Sequence, residues 1–291
     1  MKQFINTKET LVTEAIDGAL RTAGGRLARL DGYPHIKVVV RTDWDRSKVA
    51  LVSGGGSGHE PSHAGFVGQG MLTAAVCGEV FASPSVDAVL AGILAVTGKA
   101  GCLLIVKNYT GDRLNFGLAA ERARAQGLKV NMVVVDDDVA LPDLPQPRGV
   151  AGTLFVHKIA GALAEQGAGL DTVTEAAQRV IKGVVSIGMS LDTCTVPGSP
   201  KEDRIPPGKA ELGLGIHGEA GIEQVEFSTA REAMEMVVDR LAPSIGPGPH
   251  VALLNNLGSA TPLEMSVLAE ELTRSRIGEN IRWLVGPAPL M

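Results

Sequence analysis

The chain has 291 residues, 45% of them hydrophobic and 20% charged, with a net charge of −5. That length predicts two domains with ample material for a core, while the acidic balance and the 3% aromatic content offer neither the basic surface that nucleic acid or an anionic membrane needs nor a platform for stacking bases. No stretch approaches the roughly 20 apolar residues of a membrane span and no signal-like run opens the chain, so a cytoplasmic location is expected.

Asn6, with Glu9 three residues on, has the spacing of a capping box, and Leu11, Ala15, Ile16, Ala19 and Leu20 follow at helical spacing, predicting an opening helix. Strand-length apolar runs at 36–40, 49–52, 71–76, 102–106 and 130–135 then alternate with helical patterns. Ser83-Pro84 opens a helix over 86–96, and Gly127 closes another over 113–126. Helices at 153–166 and 171–183 complete an N-terminal α/β domain, residues 1–190, with a largely parallel sheet flanked by helices. A Pro- and Gly-rich stretch at 196–208 leads into a second α/β domain, residues 191–291. It has strands expected at 211–216, 251–254 and 281–285 and helices at 230–241 and 262–274. Cys77, Cys102 and Cys194 are odd in number and far apart, which predicts core thiols rather than disulfides or a metal site. The basic cluster Lys201 to Arg204 reads as solvated loop.

The stretch Leu51-Val52-Ser53-Gly54-Gly55-Gly56-Ser57-Gly58-His59 runs a hydrophobic strand into four glycines and a titratable side chain. Glycines let backbone N–H groups face a ligand that a Cβ would block, so this loop reads as an anion or oxygen cradle, with an ordinary Gly-rich turn as the alternative. Neither nucleotide fingerprint fits: the dinucleotide pattern needs glycine at His59, and a P-loop needs Lys-Ser/Thr where His59-Glu60 stand. His59-Glu60-Pro61-Ser62-His63 spells H-E-x-x-H, yet Pro61 belongs only in a first helical turn, so the two imidazoles should not stack toward zinc.

In parallel α/β sheets ligands collect beyond the carboxyl ends of strands. Lys107-Asn108-Tyr109-Thr110-Gly111-Asp112 follows one such strand and sets a cation, a hydroxyl and a carboxylate within six residues; alternatively Lys107 and Asp112 form a solvated pair with Asp112 capping the next helix. In Gly215-Ile216-His217-Gly218-Glu219, flanking glycines leave an imidazole open. It is either structural or a nucleophile able to add to a carbonyl. Asp136-Asp137-Asp138 reads as a strand-end loop, since consecutive side chains on a strand point apart and cannot share one ion.

Together, the glycine loop ending in His59-Glu60-Pro61, the Lys107 to Asp112 loop and Gly215-Ile216-His217-Gly218-Glu219 resemble the substrate-binding K subunit of dihydroxyacetone kinases. Gly68-Gln69-Gly70-Met71, Ser186-Ile187-Gly188, Cys194-Thr195-Val196-Pro197 and Asn255-Asn256-Leu257-Gly258 with Thr261-Pro262 fit in the same order. The resemblance implies a subunit that holds dihydroxyacetone as a hemiaminal on His217, with Gly56, Ser57 and Gly58 against substrate oxygens. It further implies His59 in proton transfer, Lys107 in binding and Asp112 as the base for phosphoryl transfer. It implies no cofactor on this chain: magnesium ATP or ADP would sit on a separate L subunit, with a phosphoenolpyruvate-dependent relay protein as an alternative donor, and the chain would be a homodimer. The same resemblance admits a ketotetrose such as erythrulose as substrate, or a non-catalytic dihydroxyacetone sensor. Two positions depart from the family pattern. Ala220 stands where proline is usual, and the sequence stops at Gly286-Pro287-Ala288-Pro289-Leu290-Met291, short of the family's further strands.

Overall fold

The structure is a computed structural model that describes residues 3–32, 35–141, 146–197, 200–201 and 203–291. Residues 198, 199 and 202 of the Pro- and Gly-rich stretch lie outside the described residues. The chain divides into two units, Met1–Val135 with Thr153–Gly183, and Asp136–Gly152 with Val184–Met291.

The first unit opens with helix α1 (Leu11–Thr22), which buries Val12 and Ile16. Its N-cap is Thr10, and the Asn6 amide bonds Glu14 at 2.9 Å instead of closing a capping box with Glu9. Six strands follow: β1 (Leu27–Gly32), β2 (Ile36–Arg41), β3 (Ala50–Ser57), β4 (Ala74–Val80), β5 (Cys102–Lys107) and β6 (Val130–Val135). Their order in the sheet is β1-β2-β4-β3-β5-β6. β4, β3, β5 and β6 run parallel, and β2 and β1 add antiparallel at one edge. The expected α/β class and largely parallel sheet are what is found. β1 was not foreseen: it is an edge strand whose Arg29 is tied to Asp17 and Asp31, and charges blunt an edge while hiding its period.

Helices α2 (Val86–Val96) and α3 (Thr110–Ala125) cover one face, and α1, α4 (Thr153–Glu165) and α5 (Leu170–Gly183) the other. Alternate residues of each strand feed the two cores: Leu51, Leu103 and Ile105 pack with Val156 and Val173, while Val52, Leu104 and Val106 pack with Ile93 and Phe116. Each such side chain contributes about 1.5–3 kcal/mol by leaving water. The α2 cap is Ser85, whose hydroxyl accepts from the Ala88 amide at 3.2 Å, one residue past the Ser83-Pro84 pair.

The second unit holds an antiparallel sheet of β7 (Met189–Ser190), β8 (Ala210–Leu212) and β9 (Glu223–Val225), and a parallel pair, β10 (His250–Asn255) with β11 (Ile281–Ala288). Helix α6 (Ala230–Leu241) is capped by Thr229, and α7 (Pro262–Arg274) by a full Thr261/Glu264 capping box with Pro262 at its first turn. Met234, Val238 and Leu272 pack with Ala252 and Leu284. The expected strand at 211–216 ends at Leu212 because Gly213 takes φ +76°, a conformation that glycine alone adopts freely.

Among the described residues no helix is long and apolar enough to cross a membrane.

Candidate functional site

Between β3 and β5 the sheet's winding reverses, since β3 leads to β4 on one side and β5 stands on the other. Such a reversal opens a crevice beyond the strand ends. Here the β3–β5 ladder stops at Val52↔Leu104, and the Ser53 hydroxyl donates to the Ile105 carbonyl at 2.7 Å in its place. β3 then continues along β4 alone.

That continuation consists of the glycines read from sequence as a loop. Gly54, Gly55 and Gly56 are strand, and buried, while Gly58 lies just past the strand and is exposed. A Cβ on Gly54 would run into the Val76 carbonyl oxygen of β4, and one on Gly56 would stand 2.6 Å from the Ala82 nitrogen. β3 can lie this close to β4 and the turn after it only without side chains. On the other face, Gly55 lies against both functional groups of the second loop: its Cβ position is 3.3 Å from Asp112 Oδ2 and 3.6 Å from Lys107 Nζ. Two segments about 50 residues apart in sequence therefore meet at one backbone position.

Lys107 is the last residue of β5 and is fully buried, with its ammonium 5.9 Å from the centre of the Tyr109 ring. Asp112 is also buried and is the third residue of α3, not its cap. The helix begins three residues earlier than its pattern suggested, which puts this carboxylate at the positive end of the helix dipole. A solvated Lys107–Asp112 pair is thus excluded by burial.

Ser57 ends β3, its hydroxyl on the Gly78 carbonyl at 2.8 Å. Gly58 turns the chain at φ +107°, with a Cβ position 2.7 Å from the Phe81 ring. His59 then stacks on that ring, centroids 5.1 Å apart, and is 5% exposed. Phe81, itself at φ +55°, was not singled out from sequence; a single aromatic after a strand carries no pattern. His63 takes a different partner, His157 of α4, at 3.1 Å. The two imidazoles of H-E-x-x-H thus serve separate neighbours, and no helix carries them. Burial, then the nearby Lys107 charge, pushes His63 well below the usual histidine range and His157 to about 3, so both are neutral. A cavity of about 430 Å³ is lined by Gly55, Gly56, Ser57, His63 and Cys77, with Ala15 of α1. Its lining is mostly apolar, with the β3 main chain, Glu60 and the His63 imidazole among its edges.

In the second unit, His217 stands in the loop between β8 and β9, closed by the Ile222 amide on the Leu212 carbonyl at 2.8 Å. Glu219 faces it: one carboxylate oxygen accepts the His217 amide and the other meets His217 Nδ1, each at 2.9 Å. Burial alone would raise the Glu219 carboxyl, but His217 outweighs it and holds the acid at about 2.

Two arginines carry this loop. Arg148 is paired with Asp138 at 2.6 Å and donates to the Gly213 carbonyl at 2.7 Å. Arg204 is paired with Glu211 at 2.9 Å and donates to the Gly218 carbonyl at 3.1 Å. Arg204 is therefore a structural tie, not part of a solvated basic cluster. Asp137 accepts the Val150 and Gly152 amides, each at 2.8 Å, so the Asp136–Asp138 run fastens a loop. The three cysteines divide: burial raises the Cys77 and Cys102 thiols to about 12, as core thiols should be, while Cys194 is exposed beside Gly218.

Residues 22–285 match the Dak1 domain family. The dihydroxyacetone kinase of Citrobacter freundii is 51% identical over 99% of this chain, which covers 53% of that protein, and its crystal structure superposes with a TM-score of 0.97. The dihydroxyacetone-binding subunit DhaK of PTS-dependent dihydroxyacetone kinase 1 from Listeria innocua is 41% identical, matching 94% of this chain and 84% of its own length. A dihydroxyacetone kinase operon co-activator, Dha-DhaQ, has a TM-score of 0.88 at 29% identity, over 94% of this chain and 86% of its own. This chain spans about half the length of the Citrobacter kinase.

Proposed function

The chain belongs to the Dak1 domain family, and from that premise we propose that it holds dihydroxyacetone as a hemiaminal on His217 for phosphorylation to dihydroxyacetone phosphate. The convergence of β3, Lys107 and Asp112 on Gly55 carries this reading. A backbone cradle, a buried cation and a buried carboxylate at one point are what binding and deprotonating a small polyol require.

In this reading the His217 imidazole adds to the ketone carbon, so glycerol, which has no carbonyl, is refused. Gly56, Ser57 and Gly58 lie against substrate oxygens, and Lys107 supports binding. His59 moves the proton at the carbonyl oxygen. Asp112 accepts the proton of the hydroxyl that attacks phosphorus, a role worth about 100- to 10,000-fold in rate. Tethering makes the acceptor effectively intramolecular, an effect that reaches about 7–11 kcal/mol at its upper limit.

The magnesium nucleotide belongs, in this proposal, to a separate L-type partner. A phosphoenolpyruvate-dependent relay supplies the phosphoryl group in the PTS-type variant, and the Listeria relative is by name PTS-dependent. The working form is a homodimer in the cytoplasm. A second reading, a sensor without catalysis, is favoured by the likeness to the co-activator. Asp112 and His59 separate the two, because capture needs no base at phosphorus.

The deciding experiment mixes the full chain with L-type partners and ATP, or with the phosphoenolpyruvate relay, and assays dihydroxyacetone phosphate. Turnover that needs this chain and falls in Asp112→Asn, with binding kept, supports the kinase. Binding without turnover under every donor leaves the sensor, and erythrulose outcompeting dihydroxyacetone shifts the substrate to the tetrose.

A further inference from the structure

The His217 loop contains one feature that holding a carbonyl does not by itself demand: a carboxylate bound to the same residue twice. Glu219 takes the His217 backbone amide on one oxygen and ring Nδ1 on the other. An amide can only donate, so that oxygen must accept. An ionised carboxylate has no proton to offer Nδ1 either, so the ring nitrogen must be the donor.

The position of this carboxylate is built into the loop. A Cβ on Gly215 would run into Glu219 Oε2 and stand 2.9 Å from Arg148 Nη1. A side chain at 215 would push Glu219 out of this position, so glycine there makes room for the carboxylate. The Gly215 amide bonds the Glu219 carbonyl at 3.1 Å, and Arg148 and Arg204 hold the carbonyls of Gly213 and Gly218 on either side. Five polar ties thus fix one short turn, which is more than a solvent loop needs.

We propose that Glu219 is a positioning residue that holds His217 as its Nδ1–H tautomer, placing the ring lone pair on Nε2, and that it offsets the positive charge the ring gains as Nε2 bonds the carbonyl carbon. The inference rests on the reading of His217 given above. In the step, the Nε2 lone pair forms the C–N bond and the carbonyl π pair moves to oxygen. The ring, its charge offset by the Glu219 carboxylate, gives its Nδ1 proton to solvent, while the alkoxide gains one proton from solvent. The product is a neutral hemiaminal, with no net proton change. A second-neighbour carboxylate that sets an imidazole tautomer is a recurrent device where one ring nitrogen must stay a lone-pair donor.

The test uses the full chain labelled with 15N-histidine, read by long-range 1H–15N correlation without substrate, and by the rate of adduct formation with dihydroxyacetone in intact mass. The unsubstituted protein is expected to show His217 Nδ1 as the protonated nitrogen and Nε2 as the bare one. Glu219→Gln should shift the population toward Nε2–H and slow adduct formation at least tenfold with unfolding temperature unchanged, and Glu219→Asp should recover part of the rate. An Nε2–H tautomer in the unsubstituted protein, or an unchanged tautomer and rate in Glu219→Gln, overturns the proposal. The first readout needs no variant, so it decides even if a substitution unfolds the loop. An Nδ1–H signal with no adduct in the unsubstituted protein overturns the tether and the charge stabilisation that depends on it, and leaves the tautomer assignment standing.

Discussion

The carboxyl end of β3 and the His217 loop present functional groups by opposite means. β3 is made by subtraction: three consecutive glycines let it press against β4, the Phe81 turn, and the Lys107–Asp112 corner, every residue buried. The His217 loop is made by addition, with two arginine–carboxylate pairs and Glu219 bonding its backbone from several directions. Close packing tolerates almost no added volume, whereas a loop held by buried charge pairs depends above all on keeping both partners of each pair. The two regions should therefore fail under different substitutions.

The largest effect is expected from Arg148→Met. It leaves the buried Asp138 carboxylate without its cation, which costs about 3–5 kcal/mol by denaturant unfolding. A loss under 1 kcal/mol would break the comparison, because the loop would then not depend on its charges. Gly54→Ala should follow at about 3 kcal/mol, at the upper end of ordinary overpacking, since the obstacle is the Val76 carbonyl oxygen rather than a yielding side chain.

Glu165→Gln sharpens the contrast within the packed unit. Glu165 of α4 bonds Arg41 and Lys48, each at 2.7 Å. Burial would raise its carboxyl, but these two cations outweigh burial and hold it at about 2, against an ordinary 4.5. A depressed acid stabilises the fold fully above its unfolded value and loses that contribution as pH falls through the folded one. Stability should drop about 1–2 kcal/mol in the variant at neutral pH, and the difference between variant and parent should vanish between pH 4.5 and 2. A loss exceeding that of Gly54→Ala would mean that charge, not packing, dominates here too. The smallest effect belongs to Gly68→Ala, where a Cβ meets nothing within 4 Å; it should be neutral, or stabilise by about 0.4–1 kcal/mol through the unfolded chain.

Much of this was legible in the sequence, for reasons that differ by element. α2, α4, α6, α7, β5 and β6 carry strong periodicity or continuous apolar runs, so their expected limits fall within a residue or two of those observed. β3 was cut short at Val52 because glycine weakens a strand on its own; only the neighbour β4, which requires the missing side chains, reveals that it runs on to Ser57. β4 itself lies later than its apolar run, Leu72 being buried in the lead-in while Cys77 to Val80 complete the strand.

The candidate site divides the same way. Lys107, Asp112, His59 and His217 are conspicuous as chemistry set in small residues, and the first three stand at or just beyond strand ends. Their partners were hidden because partnership is long-range: His157 lies 94 residues from His63, and Arg148 lies 65 from Gly213. Glu219 was visible as part of the histidine segment, and its spacing of two residues across a glycine turn is the one signal that could have assigned it a role.

The central claim is the covalent hold on the ketose, and intact mass of the folded full chain with dihydroxyacetone tests it most directly. The account predicts a gain equal to one dihydroxyacetone without any reductant, absent in His217→Ala and absent with glycerol. No gain in the folded unsubstituted protein, or a gain that persists in His217→Ala, would contradict it.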